Sequence, residues 1–358
     1  MKKIMLIILI CMTVLTAGCF PSGEVKQNND SEMQTDKRIT FDIDCPQDYP
    51  QQAQLLFGEP MLFESIDMES LFFGENKGGY WKQLNEHSSV LPSGKYYHLY
   101  AKGENDTTLC YDAGMVIYTS KNASDGLMRL LSSYRDLKGS QEYFRQLIPN
   151  DTIDGFEQQS AVNQADELLK KLGIPAAKPE IYAVDKTASD NLKKEGSNNY
   201  TDEWSDKQQA YMLVYPIEYC GLPTLCSQTN GNVSESGRIT LCAKAVIGIS
   251  KNGFEYVECQ NILAAKVQKT QDIISPQKAK ETIEKYYSSI ALGENVIDVR
   301  VSGCELRYLP QCIEGDMTKA ELVPVWTFCE KKHHKATDGT EMTRYSLICV
   351  NAFTGEIM

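Results

Sequence analysis

Histidine is scarce. The chain carries only His87, His98, His333 and His334, so few imidazoles can serve as a general base or hold a metal. No Cys-x-x-Cys and no His-Glu-x-x-His occurs, which removes the common zinc spacings. Gly-x-Ser-x-Gly is missing, as is a Gly-rich phosphate loop, so the serine nucleophile elbow and the nucleotide cradle lose their usual carriers. Basic residues fall short of acidic ones, 36 against 48, for a net charge of −12. A sequence-independent nucleic-acid binder needs the opposite balance. No apolar run reaches the ~20 residues that cross a bilayer as a helix.

The longest apolar run, Ile4–Leu15, has twelve residues, or about 18 Å at roughly 1.5 Å per residue. It follows Lys2 and Lys3 and precedes Thr16-Ala17-Gly18-Cys19. A short basic region, an apolar core and small residues make a signal peptide. The small residues ending in cysteine resemble a bacterial lipobox. That implies cleavage after residue 18 and acylation of Cys19. Leu15 sits one position earlier than the commonest pattern. Removing residues 1–18 takes away Lys2 and Lys3 and no acid, leaving 34 basic and 48 acidic residues and a net charge of −14. An acidic body is repelled by anionic lipid, so attachment should rest on the acyl chains. Residues 19–40 are polar and nearly free of large apolar groups; they are expected to be a flexible tether.

The rest has globular composition, with 42% apolar and 23% charged residues. Ile39, Phe41, Ile43 and Cys45 alternate with polar residues as in a half-buried strand. Further strands are expected at Lys95–Lys102 and Leu109–Ser120, and helices at Leu127–Leu137 and Gln141–Leu147. These make residues 41–153 an N-terminal α+β domain. Asp154-Gly-Phe-Glu157 resembles a capping box. Ala161, Ala165, Leu168, Leu169 and Leu172 then line one helix face, and Gly173 and Pro175 stop it. Ser275-Pro276 opens a second such helix, with Ala279, Ile283, Tyr286, Tyr287 and Ile290 on one face and Gly293 at its end. Strands are expected after the first at Glu180–Asp185, Ala210–Tyr219 and Leu241–Ser250. After the second they are expected at Val296–Ser302, Glu321–Cys329 and Tyr345–Ala352. The predicted fold class is α+β, with antiparallel sheets, packed helices and a helix-strand-strand-strand unit repeated over 154–270 and 271–358.

Leu322-Val-Pro-Val-Trp-Thr-Phe328, followed by Tyr345-Ser-Leu-Ile-Cys-Val-Asn-Ala-Phe-Thr-Gly-Glu-Ile-Met358, resembles the closing hairpin of PepSY-type modules and of the YycH/YycI-like regulatory proteins. The whole layout resembles a family of uncharacterised lipoproteins of Gram-positive bacteria: the lipobox, the Phe-Asp-Ile-Asp-Cys-Pro strand, an Ala-rich helix ending Leu-Gly-Ile174 and a Tyr-rich strand running into Gly221-Leu-Pro223. The resemblance implies an extracytoplasmic binding or regulatory role and carries no functional residues.

Ten cysteines remain once Cys11 and Cys19 are set aside, and an even number in an exported chain favours disulfides. Cys226 and Cys242 flank the loop Thr229–Gly237, and Cys329 and Cys349 flank one around Asp338-Gly339; these are the candidate pairs. A two-residue turn at Asn252-Gly253 places Cys259 opposite Val246, too far from Cys242 to bond it. Cys329, His333 and His334 are the nearest approach to a metal cluster. Adjacent histidines on an extended chain point to opposite faces, and Glu330–Lys335 is expected to be a solvated, basic loop. His98 is expected to be a strand side chain. The many Tyr residues suit sheet packing, and Trp204 stands apart in the polar stretch Lys186–Gln209. The expected function is a non-catalytic binding or regulatory lipoprotein on the outer face of the cell membrane, anchored by lipid on Cys19. It has no catalytic residue, cofactor, metal or nucleic-acid partner, and its partner is another envelope protein. The alternatives are a solute-binding lipoprotein of a transporter and an envelope-polymer hydrolase.

Overall fold

The computed structural model describes residues 36–74, 80–84, 98–102, 107–120, 138–194, 208–226, 239–313 and 316–358. Cys19, residues 19–35 of the expected tether, the expected helix Leu127–Leu137 and Trp204 lie outside the described residues; the end of the expected tether is not free, since Ile39 and Thr40 pair with Val299 and Arg300.

Eight strands form one antiparallel sheet. In chain order they are β3 (Tyr80–Leu84), β4 (His98–Lys102), β5 (Thr108–Asp112), β6 (Met115–Thr119), β7 (Glu180–Val184), β8 (Ala210–Pro216), β11 (Lys244–Ser250) and β12 (Gly253–Gln260). In space they run β3-β4-β5-β6-β12-β11-β8-β7. The expected strand Leu109–Ser120 is two strands, because the chain reverses at Ala113-Gly114, where Gly114 has φ +71°. Every residue of β11, and β8 up to Tyr215, is buried. The reason is cover on both faces. Ala161, Ala165, Leu168, Leu169 and Leu172 of one helix pack on one side, with Tyr211, Leu213 and Ile247. Phe144, Leu147, Ala188 and Leu192 of two others pack on the second, with Tyr182, Met212 and Val246.

The first of these helices is α3 (Gln158–Leu172); the other two are α2 (Lys138–Leu147) and α4 (Lys186–Lys194), after α1 (Met68–Phe73). The apolar stripe of α3 is buried as its spacing requires. Its N-cap differs from expectation. Asp154-Gly155 makes a turn bridged by Ile153 and Phe156, so the helix opens at Glu157, whose side chain makes no cap bond. The Tyr211 hydroxyl secures that turn, accepting from Ile153 N–H (2.9 Å) and donating to Phe156 C=O (3.1 Å). At the other end Gly173 is left-handed (φ +69°), and Ile174 N–H returns to Leu169 C=O at 2.9 Å, a Schellman stop.

The second sheet runs β1-β14-β15-β2-β13, with β16 also on β15. Its strands are β1 (Ile39–Asp42), β2 (Gln52–Pro60), β13 (Leu263–Asp272), β14 (Val296–Ile313), β15 (Asp316–Lys335) and β16 (Glu341–Asn351). Only β1 with β14 is parallel. Helix α5 (Pro276–Ser289) opens as expected, with Ser275 accepting from Lys278 N–H at 3.1 Å. It ends at Ser289, short of Gly293. Its Ala279, Ile283 and Tyr287 pack with Trp326, Phe328 and Val350, and Trp326 Nε1–H donates to Ile274 C=O at 3.0 Å. A short hairpin, β9 (Glu218–Tyr219) and β10 (Leu222–Pro223), completes the strands.

The expected boundaries at 153/154 and 270/271 do not separate sheets. β2 joins β13 and β15, and β6 joins β12. The segments 41–153, 154–270 and 271–358 therefore share sheets, and β13 itself crosses 270/271. Glu330–Lys335, expected as a loop, is paired along β14 and β16.

Candidate functional site

β14 and β15 pair through Ser302↔Cys329 and Glu305↔Thr327, which leaves one extra residue on β14. Gly303 takes the left-handed conformation there (φ +70°), as glycine does in such a bulge. Beside the bulge lies a groove of about 270 Å³, lined by Ser302, Gly303, Cys304, Glu305, Arg307, Thr327, Cys329 and Leu347, with Leu225 and Gln141 closing its sides. Glu305 accepts from Arg307 Nε–H at 2.9 Å. Thr327 Oγ donates to Glu305 C=O at 3.1 Å, and Gln141 donates to Glu180 at 3.0 Å. The charge in the groove is thus internally paired. Beneath it Cys349 is buried; burial pushes its thiol up to about 12, and the nearby Arg307 pulls the other way.

A second polar cluster sits on the eight-stranded sheet. Between Gly248 and Ile249 the register of β11 with β12 shifts, so Glu255 is the unpaired bulge residue. Its buried carboxylate accepts from Ser250 Oγ (2.6 Å) and from Ser120 Oγ, which ties β6, β11 and β12 together. Ser250 pairs with Gly253, so the turn lies at Lys251-Asn252 rather than Asn252-Gly253; that turn and the bulge together place Cys259 opposite Ala245 rather than Val246. Glu258 accepts from Tyr256 Oη at 2.6 Å and from the Gln260 amide. Lys244, 1% exposed, lies on this face, opposite Gln260 and one diagonal step from Glu258.

A third carboxylate, Glu330 on β15, meets helix α5. Tyr287 Oη donates to it at 2.6 Å, Ser346 Oγ donates from β16, and Lys332 Nζ lies at 3.1 Å. Burial raises this carboxyl, and the bonds from Ser346, Tyr287 and Lys332 outweigh burial, so its pKa is lowered overall.

The structure separates the sequence-derived candidates. Cys226 and Cys242 are disulfide-bonded, with Cα atoms 4.4 Å apart. Their loop does not close a simple hairpin: both feet stand on β14, through Leu225 N–H to Tyr308 C=O (2.8 Å) and Leu241 N–H to Pro310 C=O (3.0 Å). Cys329 and Cys349 are not bonded to each other. Cys329 faces Leu347 and Cys349 faces Thr327, a diagonal spacing of about 7–8 Å, beyond disulfide reach. His333 lies beside Asp298 and Glu341, 3.5 and 3.6 Å away. His334 is buried on the other face, its Nδ1 without a hydrogen bond. Among the described residues no group of His, Cys, Asp and Glu is gathered as for a metal. Glu255, Glu258 and Lys244 had no sequence signal beyond alternation. The bulge that gathers the first is invisible in spacing, and only Gly303, glycine within a strand, hinted at the other.

No family model and no curated protein matches the chain. Nine solved chains resemble it. Among them, an uncharacterized protein from Eubacterium rectale is 14% identical, with a TM-score of 0.64, covering 90% of this chain and 91% of that one. At that identity the likeness shows the fold alone.

Proposed function

We propose that the chain is a lipid-anchored protein of the extracytoplasmic face, without catalytic activity, which binds another envelope protein by adding a strand to β13. The observation that carries this is the edge itself. Among the described residues β13 pairs only with β2. From Lys266 to Asp272 every residue is exposed, with Val267 at 54%. An unpaired ladder is a template for strand addition. Lys266 and Lys269 on this strand suit an acidic partner segment. The anchor rests on the lipobox at Cys19. No helix among the described residues is long and apolar enough to cross a membrane.

The repeated unit belongs to the same proposal. α3, β7, β8 and β11 run helix then three successive antiparallel strands, in spatial order β7-β8-β11. α5, β14, β15 and β16 do the same, as β14-β15-β16. This agreement of order supports a duplicated PepSY-like module into which α4 and the β9–β10 hairpin are inserted.

Two measurements test the reading. Labelled fatty acid should enter the wild-type chain and not Cys19→Ser. Cross-linking through Lys266 and Lys269 in gently solubilised membranes should capture one discrete envelope protein; captures spread evenly over the surface, or none, would refute strand addition. The groove beside Gly303 supports a second reading, a small polar ligand. Its volume lies near the lower limit for small-molecule sites, roughly 300 Å³. A metabolite that raises the melting temperature of the wild type but not of Arg307→Ala would favour it.

A further inference from the structure

We propose that Cys45 and Cys304 are a second disulfide pair, closed by a disulfide-bearing oxidant, which staples the segment arriving from the N-terminus to the sheet.

The register brings them together. β1 runs parallel to β14 from Ile39↔Val299 to Asp42↔Ser302. Three residues further along each chain would set Cys45 beside residue 305. The glycine bulge at 303 turns β14 at that point. Cys304 and Cys45 then join one apolar cluster under α5, and neither is bonded to any other cysteine. Cys304 is 7% exposed, whereas Cys45 is half-buried, so the oxidant meets Cys45 first.

The chemistry balances as an exchange. The Cys45 thiolate attacks the oxidant's disulfide, forming a mixed disulfide and releasing one thiol. Cys304, deprotonated, attacks the Cys45 sulfur and releases the second. Two protein thiols lose two electrons and two protons; the oxidant's disulfide gains them as two thiols. Burial, and then the neighbouring Cys45, hold the Cys304 thiol above its ordinary range, so the second step is the slow one and should quicken as pH rises.

The staple has a mechanical meaning. β1 is only four residues long. It is held at its start by Arg38, whose guanidinium donates to the carbonyls of Val296 (2.8 Å), Gly293 (3.1 Å) and Leu292 (3.2 Å). A Cys45–Cys304 bond would fix its other end. Any pull from the N-terminal side reaches this strand first among the described residues.

The bond's use in the cell rests on the extracytoplasmic reading above; its formation in solution does not, so the two can fail separately. The full chain, purified in detergent, is incubated with oxidised glutathione, blocked with an alkylating reagent and digested without reductant. The expected product is a Cys45–Cys304 linked peptide that vanishes on reduction. Hydrogen exchange at Ile39–Asp42 should slow several-fold on oxidation and recover on reduction. In Cys45→Ser, where a hydroxyl replaces a half-buried thiol, it should not respond. Separate alkylation of Cys45 and Cys304 while Cys226–Cys242 stays linked would overturn the proposal. So would Cys304 linked instead to Cys329, which lines the same groove.

Discussion

Removing one hydroxyl, Tyr287→Phe, tests how α5 is held on its sheet. Tyr287 is 1% exposed. Its ring meets Phe41 edge-on, with centroids 5.8 Å apart, and phenylalanine keeps that packing. What is lost is the 2.6 Å bond to Glu330. A hydrogen bond to a charged group contributes about 1.5–3 kcal/mol, against about 0.5–1.5 for a neutral pair. Glu330 retains Ser346 and Lys332, so no orphaned buried charge is added, and the lower part of the range applies. We expect a loss of about 2 kcal/mol near neutral pH. The sign with pH follows from the lowered pKa of Glu330. A depressed folded-state pKa stabilises above the unfolded value and the gain disappears as pH falls through the folded value. The penalty of Tyr287→Phe should therefore shrink toward about 1 kcal/mol at a pH below that lowered value, where the acceptor is a neutral carboxyl. Urea unfolding of wild type, Tyr287→Phe, Glu330→Gln and the double variant at both pH values measures this. A penalty unchanged between the two pH values, or zero coupling between the two sites, would refute an ionised acceptor.

Two further outcomes follow from the same geometry. Cys226→Ser opens a bond spanning 16 residues, a loop whose closure is worth about 3 kcal/mol; reductant should lower the melting temperature of the wild type by more than that of the variant, which keeps only the proposed Cys45–Cys304 bond to lose. Gly303→Ala forces a β-carbon into φ +70°, though no atom lies within 4 Å of it, so the cost is backbone strain alone, about 1–2 kcal/mol. Gly303→Asn should cost less, since Asn tolerates that region; equal losses in thermal unfolding would show that the bulge is not what the glycine serves.

Periodicity was a sound guide where one face of an element is buried. The stripes of α3 and α5 are such cases: Ala161 to Leu172 pack as spaced, and of the second stripe Ala279, Ile283 and Tyr287 pack and Ile290 is partly buried at the helix end, whereas Tyr286 is 40% exposed. It gives nothing where burial is absent. β11, buried throughout, reads as a nearly continuous apolar strand at Leu241–Ser250, whereas β13 is exposed from Lys266 onward and does not alternate; no strand is expected there for that reason, although it is the edge on which the binding proposal rests. α4 lay in a stretch that reads as polar, because only Ala188, Ser189 and Leu192 turn inward. Register was harder still. The turn lies at Lys251-Asn252, one residue earlier than expected, which alone would set Cys259 opposite Lys244; the inserted Glu255 then moves it to Ala245. Another inserted residue, at Gly303, bends β14 toward the place where Cys45 arrives.

Division into domains failed for a different reason. The expected boundaries followed runs of similar elements along the chain, whereas the sheets are assembled across it. β2 lies between β13 and β15, more than 200 residues away, and the last strand before the first expected boundary, β6, pairs with β12 beyond it. Pairings of that separation cost loop-closure entropy before they return contacts, so neither helix-strand-strand-strand unit is free to fold as the repeated pattern suggests. β2 is the joint. Its buried Leu56 lies in the core shared with Leu168 and Leu213 while its backbone pairs with Leu322 of β15. A Leu56→Ala exchange, costing about 2–5 kcal/mol as a core truncation, should lower the unfolding midpoint of the whole body in one transition when followed by both tryptophan fluorescence and far-ultraviolet circular dichroism. Two separated transitions would mean that the units are independent after all.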